Sequence, residues 1–444
     1  MSTVIGLEMH IKDLTLDWTA SRRRLAGRTL IGLAALALLA GCAFDVGSRA
    51  PHGTLDGADG DALSLRFIGE QRIACKQEFQ GTTVGGLSGL DYDRRSGNWV
   101  LESDDRSAIN PARFYTAQLR YDEGGFDAVH LLGVHFFKQA DGSTYPNVDS
   151  YASAGGEVPD IESIRIDPQD SSIWYSSEGD RKLGLDPFVR HASADGSYLA
   201  TLPLPAMFKV PPLLASRGVT RAAPARATTS CQSGVRDNLA FEGLSFAPDG
   251  HSMWVSVEAP LCQDGPPAST KAGAPARITR FDRKGAMLAQ YAYPLEPVAA
   301  APGPGKFAEN GISEILAIND EQLFVLERAG VQAADGQFND YVRLYQTDVR
   351  GATDVSQIAA LGQASYRPTQ KRLVLDLNTL GLPRIDNLEG MSWGPKLANG
   401  HDTLVLMSDD NFNRSEVTQF LLFEVVPRYG HLRWWNPFAW DLGK

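Results

Sequence analysis

Cysteine is scarce in this chain, four in 444 residues, and no spacing among the four forms a zinc ribbon or a Cys-x-x-Cys redox pair. Basic residues are in deficit, 42 Lys+Arg against 53 Asp+Glu, for a formal net charge of −11. The clustered positive charge that binds a phosphate backbone is therefore missing, and no nucleic-acid partner is expected. No hydrophobic run is long enough to cross a bilayer as a helix; the uncharged stretch Thr29–Ala40 falls well short of about 20 residues. Amphipathic patterns of ten or more residues are rare after residue 62, which disfavours a helical fold. Nucleotide-binding glycine fingerprints are absent, and Gly86-Leu87-Ser88-Gly89-Leu90 lacks the last glycine of a nucleophile elbow. The eight histidines are scattered, with His130 and His135 outside zinc-helix spacing. If the chain is an enzyme, metal-assisted hydrolysis is the class that remains.

What is present is 43% hydrophobic residues, ample for a large core, with 43 Gly and 25 Pro that favour many short elements. The first 41 residues read as an export signal. Arg22, Arg23, Arg24 and Arg28 form a basic region ahead of the apolar stretch, and Leu39-Ala40-Gly41-Cys42 closes it. That ending resembles a bacterial lipoprotein signal, in which Cys42 becomes the lipidated first residue of the mature chain; the alternative is an ordinary secretory signal. Ala43 favours outer-membrane sorting, and Ser21-Arg22-Arg23-Arg24-Leu25 also resembles a twin-arginine signal. Removing residues 1–41 takes the net charge to −13. Residues 42–62 read as a flexible tether, residues 63–428 as the folded domain, and residues 429–444, with three of the eight tryptophans, as an aromatic tail that packs on the domain or touches a membrane interface.

The folded domain repeats. Gly86-Leu87-Ser88-Gly89-Leu90, Asp160-Ile161-Glu162-Ser163-Ile164, Ala240-Phe241-Glu242-Gly243-Leu244, Gly311-Ile312-Ser313-Glu314-Ile315 and Asn387-Leu388-Glu389-Gly390-Met391 share one pattern. Aligned on Ser88, Glu162, Glu242, Ser313 and Glu389, they recur at intervals of 74, 80, 71 and 76 residues. A turn and a second apolar run follow each: Trp99-Val100-Leu101, Ile173-Trp174-Tyr175, Met253-Trp254-Val255, Leu323-Phe324-Val325 and Leu404-Val405-Leu406. Strand, turn and aromatic-rich strand in each unit predict an all-β fold, a β-propeller of five or six blades. The terminal runs Leu63–Ile68 and Phe420–Val426 are expected to share a blade and close the ring. Cys231 and Cys262 bracket one unit and are expected to form a disulfide, leaving Cys75 free, although three cysteines allow three pairings.

Each unit also brings an acid to the end of its second strand. Asp104, Glu178 and Glu258 stand sixteen residues after Ser88, Glu162 and Glu242, while Glu327 and Asp409 follow Ser313 and Glu389 at fourteen and twenty. In a propeller, equivalent positions surround the central channel, so these carboxylates would converge and repel unless a cation intervenes. Oxygen donors of this kind select calcium or magnesium, and Asp105, Asp180 and Asp410 offer further oxygens. The plainer alternative is that each acid caps backbone N–H groups or pairs with a neighbouring arginine, as Glu327 with Arg328.

The five ordered motifs, spanning about Gly81 to Val425, resemble the phytase-like family, named for the "esterase-like activity of phytase". The resemblance implies hydrolysis of phosphate esters with Ca²⁺ in an acidic channel mouth. It would give Glu162, Glu242 and Glu389 the catalytic positions, with Asp104, Glu178, Glu258, Glu327 and Asp409 as metal ligands. Arg113, Arg165 or Arg181 would clamp a substrate phosphate oxygen. A small phosphorylated substrate, a monomeric enzyme and an outer-membrane anchor at Cys42 complete this expectation. The competing functions are a non-catalytic propeller that binds an envelope partner and a lactone or carboxylic-ester hydrolase.

Overall fold

The turn-punctuated apolar runs form antiparallel strands throughout the folded region. A computed structural model describes residues 63–211 and 231–427; the signal, Cys42, the tether and the aromatic tail lie outside the described residues. Five four-stranded antiparallel sheets follow one another along the chain as the blades of a propeller. The first blade comprises Leu90–Asp93, Asn98–Ser103, Arg113–Asp122 and Gly125–Phe136; the second Ile161–Ile166, Ile173–Ser177, Phe188–Ala192 and Tyr198–Thr201. The third comprises Phe241–Phe246, Ser252–Val257, Ala274–Asp282 and Met287–Leu295; the fourth Gly311–Ala317, Gln322–Gln332, Phe338–Asp348 and Gln370–Asp376. The fifth is built from Leu388–Gly394, Asp402–Ser408 and Thr418–Pro427, with Leu63–Ile73 added as its outer strand. The pairing of Leu63 with Pro427 through Ile73 with Thr418 closes the ring, as the terminal apolar runs foretell, and leaves five blades.

The repeated motif lies in the innermost strand of four blades and leads into it in the first, where the strand begins at Leu90, and the residue after its third position explains the tight ring. That residue is Gly89, Ser163, Gly243, Glu314 or Gly390. A Cβ at Gly89 would lie 2.9 Å from the Ile164 nitrogen, and one at Gly243 would lie 2.6 Å from that of Ile315, so neighbouring inner strands approach too closely for larger side chains. The second-strand aromatics Trp99, Trp174 and Trp254 are buried between sheets. The sulfurs of Cys231 and Cys262 are joined, with Cα atoms 5.2 Å apart, and Cys75 is free.

Glu314 is the exception among the small residues, and its role is axial. Its carboxylate lies 2.7 Å from the Arg165 guanidinium, and that guanidinium donates to the carbonyls of Leu90, Ile164, Ile315 and Met391. These four carbonyls occupy one equivalent position in four different blades. The pair Arg165–Glu314, both fully buried, therefore ties the inner strands together across the axis.

Candidate functional site

Backbone register brings the acids together. In four of the five inner strands a β-bulge falls on the motif position, where pairing skips from Ile161 to Ser163, Phe241 to Leu244, Ile312 to Glu314 and Leu388 to Gly390. A bulge re-aims the side chain it carries, and Glu162, Glu242 and Glu389 consequently line an axial cavity of about 520 Å³. One residue beyond the second strand, the N–H groups of Asp104, Glu178, Glu258 and Asp409 donate to the carbonyls of Gly86, Asp160, Ala240 and Asn387 at 2.7–2.9 Å. These four acids thus hold one structural position. Gly86 is needed there: its φ is +59°, and a Cβ would fall 2.1 Å from Asp104 Oδ1.

The cavity is lined by ten carboxylates, those of Asp104, Asp160, Glu162, Glu242, Glu258, Glu309, Asp340, Glu389, Asp409 and Glu416, with Arg106 and Arg328 as the cations. Two tighter groups stand out. One carboxylate oxygen from each of Asp160, Glu162 and Glu178 lies within 4.8 Å of the others, and the same holds for Glu178, Glu242 and Glu258. Burial, then Glu242, pushes the Glu162 carboxyl well above the ordinary range. Burial with Glu258 does the same to Glu242, and burial with Asp160 to Glu178. Asp160 is pushed up to about 7 by burial, against the pull of Arg106. Such a set holds its negative charge at neutral pH only when a cation offsets it. A separate cluster of Asp167, Asp170 and His191 is closed by Arg283, which grips Asp167 through two 2.6 Å hydrogen bonds.

Several expected roles change. Glu327 does not reach the cavity: it accepts from Lys371 Nζ at 2.5 Å, Tyr293 Oη at 2.7 Å and Asn310 Nδ2 at 3.0 Å, between the third and fourth blades. Gly311 pairs with Arg328, so Arg328 holds the fourth blade's copy of the ring position. Arg113 is enclosed, donating to Asp105, Tyr115 and the Thr83 carbonyl at 2.6–2.7 Å. Arg165 is the axial tie, and Arg181 donates to the carbonyls of Ser233 and Val235. None of these three lines the cavity. Asp105 is occupied by Arg113 and by the N–H groups of Ala108, Ile109 and Asn110, Asp180 by Arg106, and Asp410 accepts from Gly86 and Phe412 N–H groups.

The structure adds Asp160, Arg106 and Arg328 to the site. Asp160 lies two residues before a motif acid, a signal readable in the sequence; Arg328 requires the strand register. Asn238 and Asn411 also line the cavity, with φ of +53° and +45°, left-handed conformations that concentrate at functional sites.

Among solved structures, the chain resembles the Podospora anserina α-L-arabinofuranosidase PaAbf62A in complex with cellotriose at 8% identity, over 82% of this chain and 98% of that one, with a TM-score of 0.37. A Xanthomonas campestris gluconolactonase aligns at 13% identity over 85% of this chain and 99% of its own, with a TM-score of 0.28. Neither likeness bears on the chemistry. No curated protein matches the chain. The profile described as "Phytase-like: Esterase-like activity of phytase" matches residues 82–412, taking in all five motifs and the cavity acids up to Asp409. The chain belongs to the phytase-like family.

Proposed function

We propose that the axial cavity is the active site of a calcium-dependent hydrolase of phosphate esters. The observation that carries this reading is Glu178, whose carboxylate is shared by two triads, Asp160–Glu162–Glu178, in which Glu162 is half-buried, and the fully buried Glu178–Glu242–Glu258. The donors are all hard carboxylate oxygens, which suit calcium or magnesium and disfavour softer metals. Asp160, Glu162, Glu178, Glu242 and Glu258 would hold the ion or ions. Bound calcium supplies polarisation of the phosphoryl group and acidification of water.

The chain's own groups bind and orient the substrate. Arg328 and Arg106 are the cavity's hydrogen-bond-donating cations and face a phosphate oxygen in place of Arg113, Arg165 and Arg181. Ser88 Oγ and Asn387 Nδ2 each donate to Glu389 at 3.0 Å, which holds that carboxylate towards the cavity. We place the enzyme at the cell envelope as a monomer tethered through Cys42 and acting on a small phosphorylated substrate.

The test is turnover of p-nitrophenyl phosphate and phytate by purified protein, with calcium and then with excess chelator. Turnover that chelator abolishes and calcium restores is expected. No metal-dependent turnover of any phosphate ester would sink the reading, and calcium binding without turnover would favour a binding module.

A further inference from the structure

We infer that the fourth blade carries a substrate-recognition wall that selects phosphate monoesters of aromatic alcohols. This rests on reading the cavity as a phosphate-ester site. The second strands of the other blades have five to seven residues, whereas Gln322–Gln332 and its partner Phe338–Asp348 have 11 each. The extra length continues past Arg328 as a hairpin beside the cavity. Pairing of Arg328 with Val342, Gly330 with Asp340 and Gln332 with Phe338 sets Arg328, Gly330, Phe338 and Asp340 on one face, because side chains alternate along a strand. All four line the cavity. The other face is supported: Ala329 and Val331 are buried against Val298, and the Gly303 N–H donates to the Gln332 carbonyl.

Three features of this face point to a ligand. Phe338 is 45% exposed on the wall of an otherwise polar cavity. Arg328 has a buried Nε without a hydrogen-bond partner, and its guanidinium stands 3.3 Å from Glu258, 3.5 Å from Glu389 and 3.8 Å from Glu309. Charge-assisted hydrogen bonds close to about 2.7–2.9 Å, so the bond from Arg328 to Glu258 is long and the Nε–H is left to a ligand. Gly330 has neither a left-handed backbone nor a crowded Cα. The nearest atoms to a Cβ there would be those of Arg328 at 3.6 Å, Phe338 at 3.7 Å and Asp340 at 3.9 Å, which is ordinary contact. Glycine weakens a strand interior, and close approach of a ligand is the reason that remains. Arg328 then takes a phosphate oxygen, Gly330 leaves a slot, and Phe338 stacks on the ring of the esterified alcohol.

The experiment is calorimetric titration of the calcium-loaded full chain with phenylphosphonate and methylphosphonate, which share the anion and cannot be hydrolysed as esters. Phenylphosphonate should bind about tenfold more tightly, the scale of one aromatic stacking contact. Phe338→Ala and Gly330→Val should each erase that preference while leaving methylphosphonate affinity and melting temperature within error or, for Gly330→Val, a higher melting temperature. Arg328→Gln should weaken both ligands alike. Equal affinity of wild type for the two, a preference that survives both wall substitutions, or no binding of either overturns the inference. Ring-selective binding without ester turnover would sink the hydrolase reading and keep the wall; turnover without ring selectivity would do the reverse.

Discussion

Glu327 and Arg328 are consecutive residues whose side chains leave opposite faces of one strand, Glu327 into a buried cluster with Lys371 and Arg328 onto the axial cavity. The pair that looks like a local ion pair in sequence is two unrelated interactions in space. Removing the Glu327 charge leaves Lys371, whose side chain is 8% exposed, with Glu296 as its remaining partner. Glu327→Gln should lower stability by about 3 kcal/mol, the scale for breaking a buried pair, without changing calcium affinity. Urea denaturation and calcium titration read the two effects separately. A loss of calcium affinity with intact stability would return Glu327 to the metal set.

Glu178 belongs to both carboxylate triads. Glu178→Gln keeps the acceptor for the Ala240 N–H and removes one of the mutually repelling charges. The substitution should cost at least about tenfold in calcium affinity, in line with the loss of a charged ligand. In chelator it should raise the melting temperature, because a neutral amide is easier to bury than a carboxylate. Unchanged calcium affinity would place the ion elsewhere.

Arg165 acts through the fold and not through the substrate. Its guanidinium serves the carbonyls of four blades and balances Glu314. Arg165→Met leaves a buried carboxylate and several carbonyls unpaired, which should cost about 3–5 kcal/mol by denaturant titration. The Km for p-nitrophenyl phosphate of the folded fraction should stay near the wild-type value. A selective rise in Km at full stability would make Arg165 a substrate ligand.

The buried acids also set a pH dependence. Burial pushes Glu314 to about 7, with Arg165 opposing, and Asp160 to about 7, with Arg106 opposing. Their ordinary values are 4.5 and 3.8, so the folded state binds protons more tightly than the unfolded one. Their contribution is full below about pH 4 and is lost as the pH rises through about 7. In chelator the melting temperature should fall between pH 5 and 8, and calcium should restore it most at the alkaline end. A melting temperature that is flat across this range would show that the titration of Glu314 and Asp160 is not coupled to folding.

Much of this was open to reading along the chain. The near-constant spacing of the motif from Ser88 to Glu389 encodes the inner strand of each blade, because one blade uses one supersecondary unit. The apolar runs at Leu63 and Phe420 pair as their composition suggests, since an unpaired outer edge would be left exposed. Asp104, Glu178, Glu258 and Asp409 hold equivalent positions because a strand end repeats with its blade.

Charge partners were not open to such a reading. A register step of one residue moves a side chain to the opposite face of a strand, and it exchanges Glu327 for Arg328 at the cavity. The arginines follow the same logic: Arg113 and Arg165 are buried among carbonyls and carboxylates supplied by distant segments, while Arg106 and Arg328 face the cavity. The linear sequence determined the repeat, the strands and the periodic acids, all of which rest on local spacing. Tertiary structure alone decided which charges meet, because an ion pair depends on distances between blades some 70–80 residues apart in the chain.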